Sequence, residues 1–210
     1  MKKILIADDH ALVRNGIVNS ISNKLPDVLF GEASNASEAL EKLHAEDWDL
    51  LILDINMPGR DGLDLLKEVK IQYPGIPVIF LSMFPEDQYA LRTLKAGASA
   101  YLSKDTSTDE LVKAVNIVLN GEKYITSTIT SLLTEEYTGA CHHSSHEMLS
   151  DREFQVFKMI ASGMNISGIG IELCLSVKTI SVYRAHILKK MGLKNNAEIT
   201  YYAFKHNLVV

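Results

Sequence analysis

Short apolar segments alternate with helical patterns through the first 120 residues, and this alternation restricts the possible folds more than any other feature of the chain. The segments that we predict to be β-strands are 4–7, 28–33, 50–54, 78–82 and 100–102. Apolar residues at helical spacing predict helices at 11–23, 37–45, 62–72, 88–95 and 108–119. Strands alternating with helices indicate an α/β fold with a doubly wound, parallel, five-stranded sheet.

The predicted helices each carry an apolar stripe that we expect to face the sheet. The stripe residues are Leu12, Ile17 and Ile21 in the first helix and Leu63, Leu66 and Val69 in the third. Ser107 or Thr108 is the predicted N-cap of the fifth helix, because a hydroxyl side chain can accept a hydrogen bond from a free amide of the first turn.

The alternation stops after Gly121, which indicates a second domain. Residues 122–147 are mostly polar and are predicted to be a linker with a short helix near 128–136. From residue 148 onward only helical patterns occur, at 151–162, 166–173, 177–191 and 197–206. We therefore predict a domain at 1–121, a linker at 122–147 and a small all-α domain at 148–210.

Charge is distributed unevenly between the two parts of the chain. Residues 1–147 contain 13 Lys and Arg against 22 Asp and Glu, whereas residues 148–210 contain 8 against 4. The basic second part suits a polyanion such as DNA. The sequence has no apolar run long enough for a membrane span, no signal-peptide pattern and only two cysteines, so we expect a cytoplasmic protein without a membrane partner.

Polar residues follow several of the predicted strands. Asp8 and Asp9 end the first strand, Asp54 the third and Ser82 the fourth, and Lys104 follows the fifth. Ligands of doubly wound sheets bind at this edge. Three clustered carboxylates repel one another unless a cation lies among them, and Mg²⁺ is favoured because it prefers oxygen ligands. A turn formed by residues 57–59 is expected to expose the Asp54 carboxylate and to bring the backbone carbonyl of Asn56 near the metal.

This set of residues predicts phosphoryl transfer. The Asp54 carboxylate would be the nucleophile, and Lys104 and Ser82 would bind the phosphoryl oxygens. A single Asp at a strand end is usually only solvated, and Asp9 alone could cap the first helix. Because all five residues stand at the appropriate strand ends, the functional interpretation is favoured.

The first domain resembles the receiver domain of two-component response regulators, whose fold is flavodoxin-like. The matching stretches are 6–10 (IADDH), 53–62 (LDINMPGRDG), 81–82 (LS) and 97–104 (GASAYLSK). The resemblance implies that Asp54 is the phosphoacceptor, that Asp8 and Asp9 bind Mg²⁺ and that Lys104 binds the phosphate. It also implies that Ser82 and Tyr101 form a switch pair. An aromatic residue on an edge strand, taken alone, more often has only a packing role.

The second domain has the helix boundaries of a helix-turn-helix module. Ser150 and Glu153 form a predicted capping box, and Asn165 and Ser176 are predicted N-caps. The helix at 177–191 has a stripe of small, polar and basic residues that suits the DNA major groove: Lys178, Ser181, Val182, Ala185 and Lys189. Arg184, Lys190 and Lys194 are placed to reach phosphates. The alternative is a solvated face in a protein-binding bundle.

Residues 148–210 resemble the LuxR-type (NarL/FixJ-type) DNA-binding domain. The matching residues are Leu149, Ser150, Arg152, Glu153, Val156, Gly163, Ile169, Leu173, Ser176, Thr179, Ile180, Ile187, Lys190, Met191, Gly192, Leu193, Glu198, Asn207 and Leu208. The resemblance adds Thr179 to the candidate DNA contacts. The chain departs from the family at 165–170, where a basic and an acidic residue are missing and Gly168 and Gly170 occur.

The leading hypothesis is therefore a transcription regulator rather than an enzyme: a histidine kinase phosphorylates Asp54, and the protein then dimerises on double-stranded DNA. In the alternative, the second domain binds a partner protein and binds DNA weakly or not at all. A phosphatase of the haloacid dehalogenase kind would need an Asp where Asn56 stands, so only slow self-hydrolysis is expected. The Cys141–His146 cluster is a weak zinc candidate.

Overall fold

The computed structural model describes residues 1–57, 62–137, 145–206 and 208–209. The chain divides into two compact units, Met1–Tyr137 and Thr138–Val210. The elements of the first unit are β1 (Lys2–Ala7), α1 (Ala11–Ser22), β2 (Val28–Ala33), α2 (Ala36–Ala45), β3 (Leu50–Leu53), α3 (Gly62–Gln72), β4 (Val78–Ser82), α4 (Glu86–Lys95), β5 (Ala100–Ser103), α5 (Thr108–Leu119) and α6 (Ser127–Tyr137).

The predicted doubly wound sheet is confirmed. Its five strands are all parallel and lie in the order β2-β1-β3-β4-β5. The order reverses between β1 and β3, where Ala7 pairs with Leu53. This topological switch point opens a crevice at the carboxyl ends of β1 and β3.

Both faces of the sheet are covered, which explains why the strands are continuous apolar runs. Every residue of β3 and β4 is buried. On one face, side chains such as Ile6, Ile52 and Ile79 form a common core with residues of α1 and α5. On the other face, α2 packs against β1 and β2, and α4 packs against β5.

One residue of the predicted α1 stripe does not face the core. Ile17 and Ile21 are buried, but Leu12 is 87% exposed. Residues 17 and 21 are one turn apart, and the position that continues this stripe toward the start of α1 is Val13, which packs against the core. The expectation for Leu12 was wrong because residues 12 and 17 lie on different sides of a helix.

The predicted short helix after Gly121 is part of the first unit. It forms α6, which packs against α4, and its Ile129 side chain is 0% exposed. Just before α6, the Thr126 hydroxyl donates a hydrogen bond of 2.5 Å to Oε2 of Glu86 at the start of α4. The first unit therefore continues to Tyr137, beyond the predicted domain end at residue 121.

The second unit is helical, as predicted. Its elements are a 3₁₀ turn (Ser145–Met148), α7 (Asp151–Ala161), α8 (Ile166–Glu172), α9 (Val177–Met191) and α10 (Asn196–Lys205). The predicted capping box of Ser150 and Glu153 is present, and Asn165 and Ser176 cap α8 and α9. Gly192 ends α9 in the left-handed conformation with φ of 68°, which a residue without a β-carbon adopts easily.

The two glycines of α8 have different surroundings. A β-carbon on Gly170 would lie 2.8 Å from the backbone carbonyl oxygen of Leu175, whose amide donates a hydrogen bond of 2.8 Å back to Gly170. A β-carbon on Gly168 would meet chiefly the side chain of Met164, at 3.3 Å. Gly170 therefore allows α8 to lie close to the turn before α9, whereas Gly168 has no such backbone contact.

Alanine at these two positions should change stability in opposite directions. Gly168→Ala should raise the free energy of unfolding by about 0.5–1 kcal/mol, because alanine favours the helix and the Met164 side chain can move aside. Gly170→Ala should lower it by about 1–3 kcal/mol, because the backbone must shift to relieve the overlap. Chemical denaturation of the full chain measures both, and equal effects would show that Leu175 does not limit the packing.

Candidate functional site

Three carboxylates meet at the switch point of the sheet. Asp8 and Asp9 follow β1, and Asp54 follows β3, where its amide donates a hydrogen bond of 2.9 Å to the Ala7 carbonyl. One ligand atom from each of these three residues and from His10 lies within 4.8 Å of the others. The predicted cluster is therefore assembled by the pairing of β1 with β3.

Lys104 joins two of these carboxylates. Its Nζ lies 2.6 Å from Oδ2 of Asp8 and 2.9 Å from Oδ2 of Asp54, and its side chain is only 8% exposed. The Lys104 amide bonds to the Ser82 carbonyl at 2.8 Å, which fixes the lysine beside the end of β4. A buried ammonium group thus neutralises part of the negative charge of the pocket.

Burial and charge act in opposite directions on the pKa values in this pocket. Burial raises the pKa of Asp54 to about 6, although attraction to Lys104 opposes the rise. Burial lowers the pKa of Lys104, but its hydrogen bond to Asp8 and its attraction to Asp54 outweigh this, so the net shift is upward. Lys104 therefore remains charged, and a further cation near Asp54 would favour the ionised carboxylate.

The residues present fit a hard divalent cation. Oδ1 of Asp9 is buried without a hydrogen-bond partner, although Nδ1 of His10 lies 2.7 Å away. A carboxylate oxygen in this condition is suited to a metal such as Mg²⁺. Asn56, the predicted carbonyl ligand, is exposed in the segment that follows Asp54. Its role, like the role of each pocket residue, stays a prediction.

The expectation that the Asp54 carboxylate is exposed was wrong. Asp54 is 3% exposed, and its Oδ1 accepts a hydrogen bond of 2.8 Å from the Ile55 amide. A β-carbon on Gly62 would lie 2.1 Å from the Asp54 carbonyl oxygen, so the start of α3 approaches this backbone closely. Residues 58–61, which include most of the predicted turn, lie outside the described residues.

Ser82 and Tyr101 lie on neighbouring strands, and their side chains interact with each other and with Phe84. Both residues are buried. The Ser82 hydroxyl accepts a hydrogen bond of 3.4 Å from the Phe84 amide, and the Tyr101 hydroxyl donates one of 2.8 Å to the Phe84 carbonyl. Burial raises the pKa of Tyr101 above its ordinary value, so the hydroxyl keeps its proton and remains a donor.

The second unit presents an exposed face on α9. The axes of α8 and α9 differ by 113°, within the range of helix-turn-helix modules. The predicted groove-facing residues are all exposed: Lys178, Ser181, Val182, Ala185 and Lys189. Thr179 is half-buried, and its hydroxyl lies 2.8 Å from that of the N-cap Ser176. The structure thus places the five groove-facing candidates on one accessible side of α9.

Two of the predicted phosphate contacts have partners within the second unit. Nζ of Lys190 lies 2.5 Å from Oε2 of Glu153, a buried residue of α7. Nε of Arg184 donates a hydrogen bond of 2.6 Å to the Asn196 side chain at the start of α10. Lys190 therefore holds α9 to α7, an interaction that competes with its predicted phosphate contact, whereas Lys194 is exposed.

Sequence reasoning missed three features of these sites. His10 belongs to the IADDH stretch but has no predicted role, yet its ring faces Asp8 and Asp9. Arg14 donates a hydrogen bond of 2.7 Å to the Asp8 carbonyl. The exposed side of α8 carries Ile171, which is 80% exposed. The adjacency of His10 to two acids was the one signal available in the sequence.

The zinc prediction concerned residues that are mostly outside the described part of the chain, since 138–144 are not described. Of that cluster, His146 is described, and its ring stacks on Phe154 and lies near Tyr202 and His206. Within the described ranges, no single helix is long and apolar enough to cross a membrane; α8 and α9 pass the same test only as a bent pair.

Two family models match the chain. Residues 4–116 match the response regulator receiver domain, and residues 147–203 match the bacterial regulatory proteins of the luxR family. The response regulator GacA of Pseudomonas syringae pv. syringae is 32% identical over 210 residues, which cover 100% of this chain and 98% of GacA. The oxygen regulatory protein NreC of Staphylococcus epidermidis is 34% identical over 215 residues, with 99% of each chain covered.

A solved structure is also similar over nearly the whole length. RcsB of Salmonella enterica serovar Typhimurium, bound to the promoter P1flhDC in the presence of the phosphomimetic BeF₃⁻, has a TM-score of 0.68 and 27% sequence identity. The similarity covers 96% of this chain and 97% of that one.

Proposed function

The chain belongs to the response regulators that carry a receiver domain followed by a LuxR-family domain, and we propose that phosphorylation of Asp54 switches its binding to DNA. The observation that carries this proposal is the double contact of Lys104 with Asp8 and Asp54 at the switch point. It places a positive charge 2.9 Å from the buried carboxylate of Asp54, the predicted phosphoacceptor.

The phosphoryl group would come from a phosphohistidine of a histidine kinase. Oδ2 of Asp54 attacks phosphorus, the P–N bond breaks, and the histidine leaves with the electron pair of that bond. The ammonium group of Lys104, already 2.9 Å from this oxygen, stabilises the added negative charge. Mg²⁺ held by Asp8, Asp9, Asp54 and the Asn56 carbonyl would neutralise charge on the phosphoryl oxygens.

The switch would pass from Ser82 to Tyr101 through Phe84. A phosphoryl group on Asp54 offers the Ser82 hydroxyl a charged acceptor, and rotation of the side chain toward it would break the weak hydrogen bond that Ser82 accepts from the Phe84 amide. Because Phe84 also accepts the hydrogen bond of Tyr101, a movement of Phe84 changes the position of that ring. This sequence of contacts supports a coupled Ser82–Tyr101 pair.

The output would be binding of a dimer to double-stranded DNA in the cytoplasm, with control of transcription. The exposed face of α9 would enter the major groove and Lys178 and Lys189 would contact DNA at its edges. Support comes from RcsB, which was solved bound to promoters, and from a structure of two RcsB dimers bound to two parallel DNAs. The protein would convert no small-molecule substrate, although it would slowly hydrolyse its own phosphoryl group.

The direct test of this function is phosphorylation of the full chain. A small acyl phosphate donor with Mg²⁺ should add one phosphoryl group, seen by mass spectrometry, and should raise the affinity for a selected DNA site. A chain that accepts no phosphoryl group from this donor or from any histidine kinase would contradict the proposal.

One observation favours the alternative in which the second domain binds a partner protein. α8 contains no basic residue, and its exposed side carries Ser167, Ile171 and the acidic Glu172. In helix-turn-helix proteins the first helix of the motif crosses the DNA backbone. DNA affinity would then depend on α9 and its flanks alone.

Two substitutions, one that removes a positive charge from α9 and one that adds a positive charge to α8, test whether each helix lies near the DNA backbone. Lys178→Ala should weaken binding and reduce the slope of log K against log salt by about 0.9, whereas Ser167→Lys should strengthen binding and increase the slope by a similar amount. Fluorescence anisotropy at several salt concentrations measures both. Lys67→Ala, which removes the same charge from α3 in the first unit, is the control. A salt slope near zero in the unmodified protein would favour the partner-protein alternative.

A further inference from the structure

The ring of His10 lies against the two acids that follow β1. Its Nδ1 is 2.7 Å from Oδ1 of Asp9 and 3.3 Å from Oδ1 of Asp8. Neighbouring ligands of an octahedral ion with bonds of 2.0–2.1 Å are about 3 Å apart, and opposite ligands are about 4.2 Å apart. The distances from His10 to the two acids are close to the separation of neighbouring ligands. The largest distance between ligand atoms in the cluster, within 4.8 Å, is close to the separation of opposite ligands.

The start of α1 does not account for this orientation. His10 is the N-cap residue of α1, but its side chain makes no capping hydrogen bond, and 66% of the side chain is exposed. Its backbone amide already donates a hydrogen bond of 2.8 Å to Oδ1 of Asp8. The imidazole is therefore free of a role in the helix start, while Oδ1 of Asp9 beside it is buried without a hydrogen-bond partner.

We propose that His10 is a nitrogen ligand of the metal pocket and gives it a preference for transition-metal dications such as Mn²⁺ that carboxylates alone would not give. Mg²⁺ takes oxygen ligands, whereas first-row transition-metal dications also bind imidazole nitrogen, with an affinity that rises from Mn²⁺ to Cu²⁺. This inference rests on the proposed metal pocket, and it concerns the identity of the ion rather than its presence. A simple ion pair between protonated His10 and Asp9 is the competing explanation.

Pulsed EPR of Mn²⁺ bound to the full, unphosphorylated chain distinguishes the two explanations. A directly bound imidazole gives a ¹⁴N coupling to the Mn²⁺ electron spin, whereas an ion pair beside a purely oxygen-ligated ion does not. We expect the coupling in the unmodified protein and in His44→Ala, which alters an exposed histidine on α2. The coupling should be absent from His10→Ala.

Metal titrations supply the second measurement. His10→Ala should weaken Mn²⁺ binding by about 10–100-fold, because removing even an outer-shell partner of a metal ligand causes a loss of this size. The same substitution should change the Mg²⁺ affinity by less than about threefold, since Mg²⁺ takes oxygen ligands. His10→Gln, which keeps a polar side chain, should behave as His10→Ala does. Equal losses for both ions would overturn the proposed selectivity.

Asp9→Ala separates this inference from the proposed function. It removes the oxygen ligand and should weaken binding of both ions. If Asp9→Ala abolishes Mn²⁺ binding but the unmodified protein shows no ¹⁴N coupling, the pocket is correct and His10 is not a ligand. If Asp9→Ala binds both ions as tightly as the unmodified protein does, the pocket itself is wrong and the inference fails with it.

Discussion

No phosphoryl adduct should form on the Asp54→Asn variant when it is treated with an acyl phosphate donor and Mg²⁺. The amide has no carboxylate oxygen to attack phosphorus, whereas its size lets it keep the place of Asp54 beside Lys104 and the Ile55 amide. Mass spectrometry of the intact chain should show the mass increase of one phosphoryl group in the unmodified protein and none in the variant, a loss of at least about 100-fold in labelling.

A matched substitution at the other end of β3 controls for the loss of one negative charge. Asp49→Asn removes a carboxylate that pairs with Lys2 and lies far along the strand from the pocket. It should accept the phosphoryl group normally. An adduct on Asp54→Asn at the level of the unmodified protein would remove Asp54 from the role of acceptor.

Asp54→Asn also tests the electrostatics of the pocket in the absence of metal. Because burial raises the pKa of Asp54 from 3.8 to about 6, ionisation of Asp54 lowers the free energy of unfolding as pH rises through this range. Asparagine does not ionise, so Asp54→Asn should be more stable than the unmodified protein at pH 7 by up to about 3 kcal/mol. At pH 3.5 this advantage should vanish.

Phosphorylation should convert a mainly monomeric protein into a dimer that binds two adjacent half-sites much more tightly. The exposed face of α9 offers few side chains suited to bidentate base contacts, so one module should bind weakly. Joining two modules makes the second binding event intramolecular, which can raise the apparent affinity about 10²–10⁴-fold. Sedimentation velocity and DNA titration, each with and without the donor, measure the two effects.

DNA that contains only one half-site provides the control for the coupling between phosphorylation and DNA affinity. On DNA with one half-site, phosphorylation should change affinity little, because a second module has nothing to bind. Asp54→Asn should behave as the unphosphorylated protein on both DNAs. An equal dimer fraction and an equal affinity with and without phosphorylation would refute the switch, even if Asp54 were shown to carry the phosphoryl group.

Much of the fold followed from local signals in the sequence. The strands of a doubly wound sheet are buried on both faces, so they are visible as apolar runs, and β2 and β4 were predicted with their observed bounds. The helices α7, α8 and α9 begin at side chains that cap them. The cap of α7 was predictable from Ser150 and Glu153, three positions apart, and the caps of α8 and α9 from an Asn and a Ser just before a helical pattern. The acidic pocket followed because parallel strands bring their carboxyl ends to one edge.

The parts that could not be predicted depend on contacts between distant residues. The ion pair of Lys190 with Glu153 joins residues 37 positions apart, so the sequence showed Lys190 only as a basic residue of α9 that could reach a phosphate. The Asp54 carboxylate is buried where Lys104, a residue far along the chain, contacts it, and no periodicity indicates this contact. The packing of α6 was missed because its composition is that of a polar connector.

The position of α6 decides how the first unit can be separated from the rest of the chain. A fragment that ends at Gly121 would lack Ile129 and would uncover the apolar surface of α4 on which α6 packs. Exposed apolar surface of this kind promotes self-association that has nothing to do with phosphorylation. A fragment that ends at Tyr137 keeps this surface covered, so an oligomer formed by the shorter fragment alone would be an artefact of truncation.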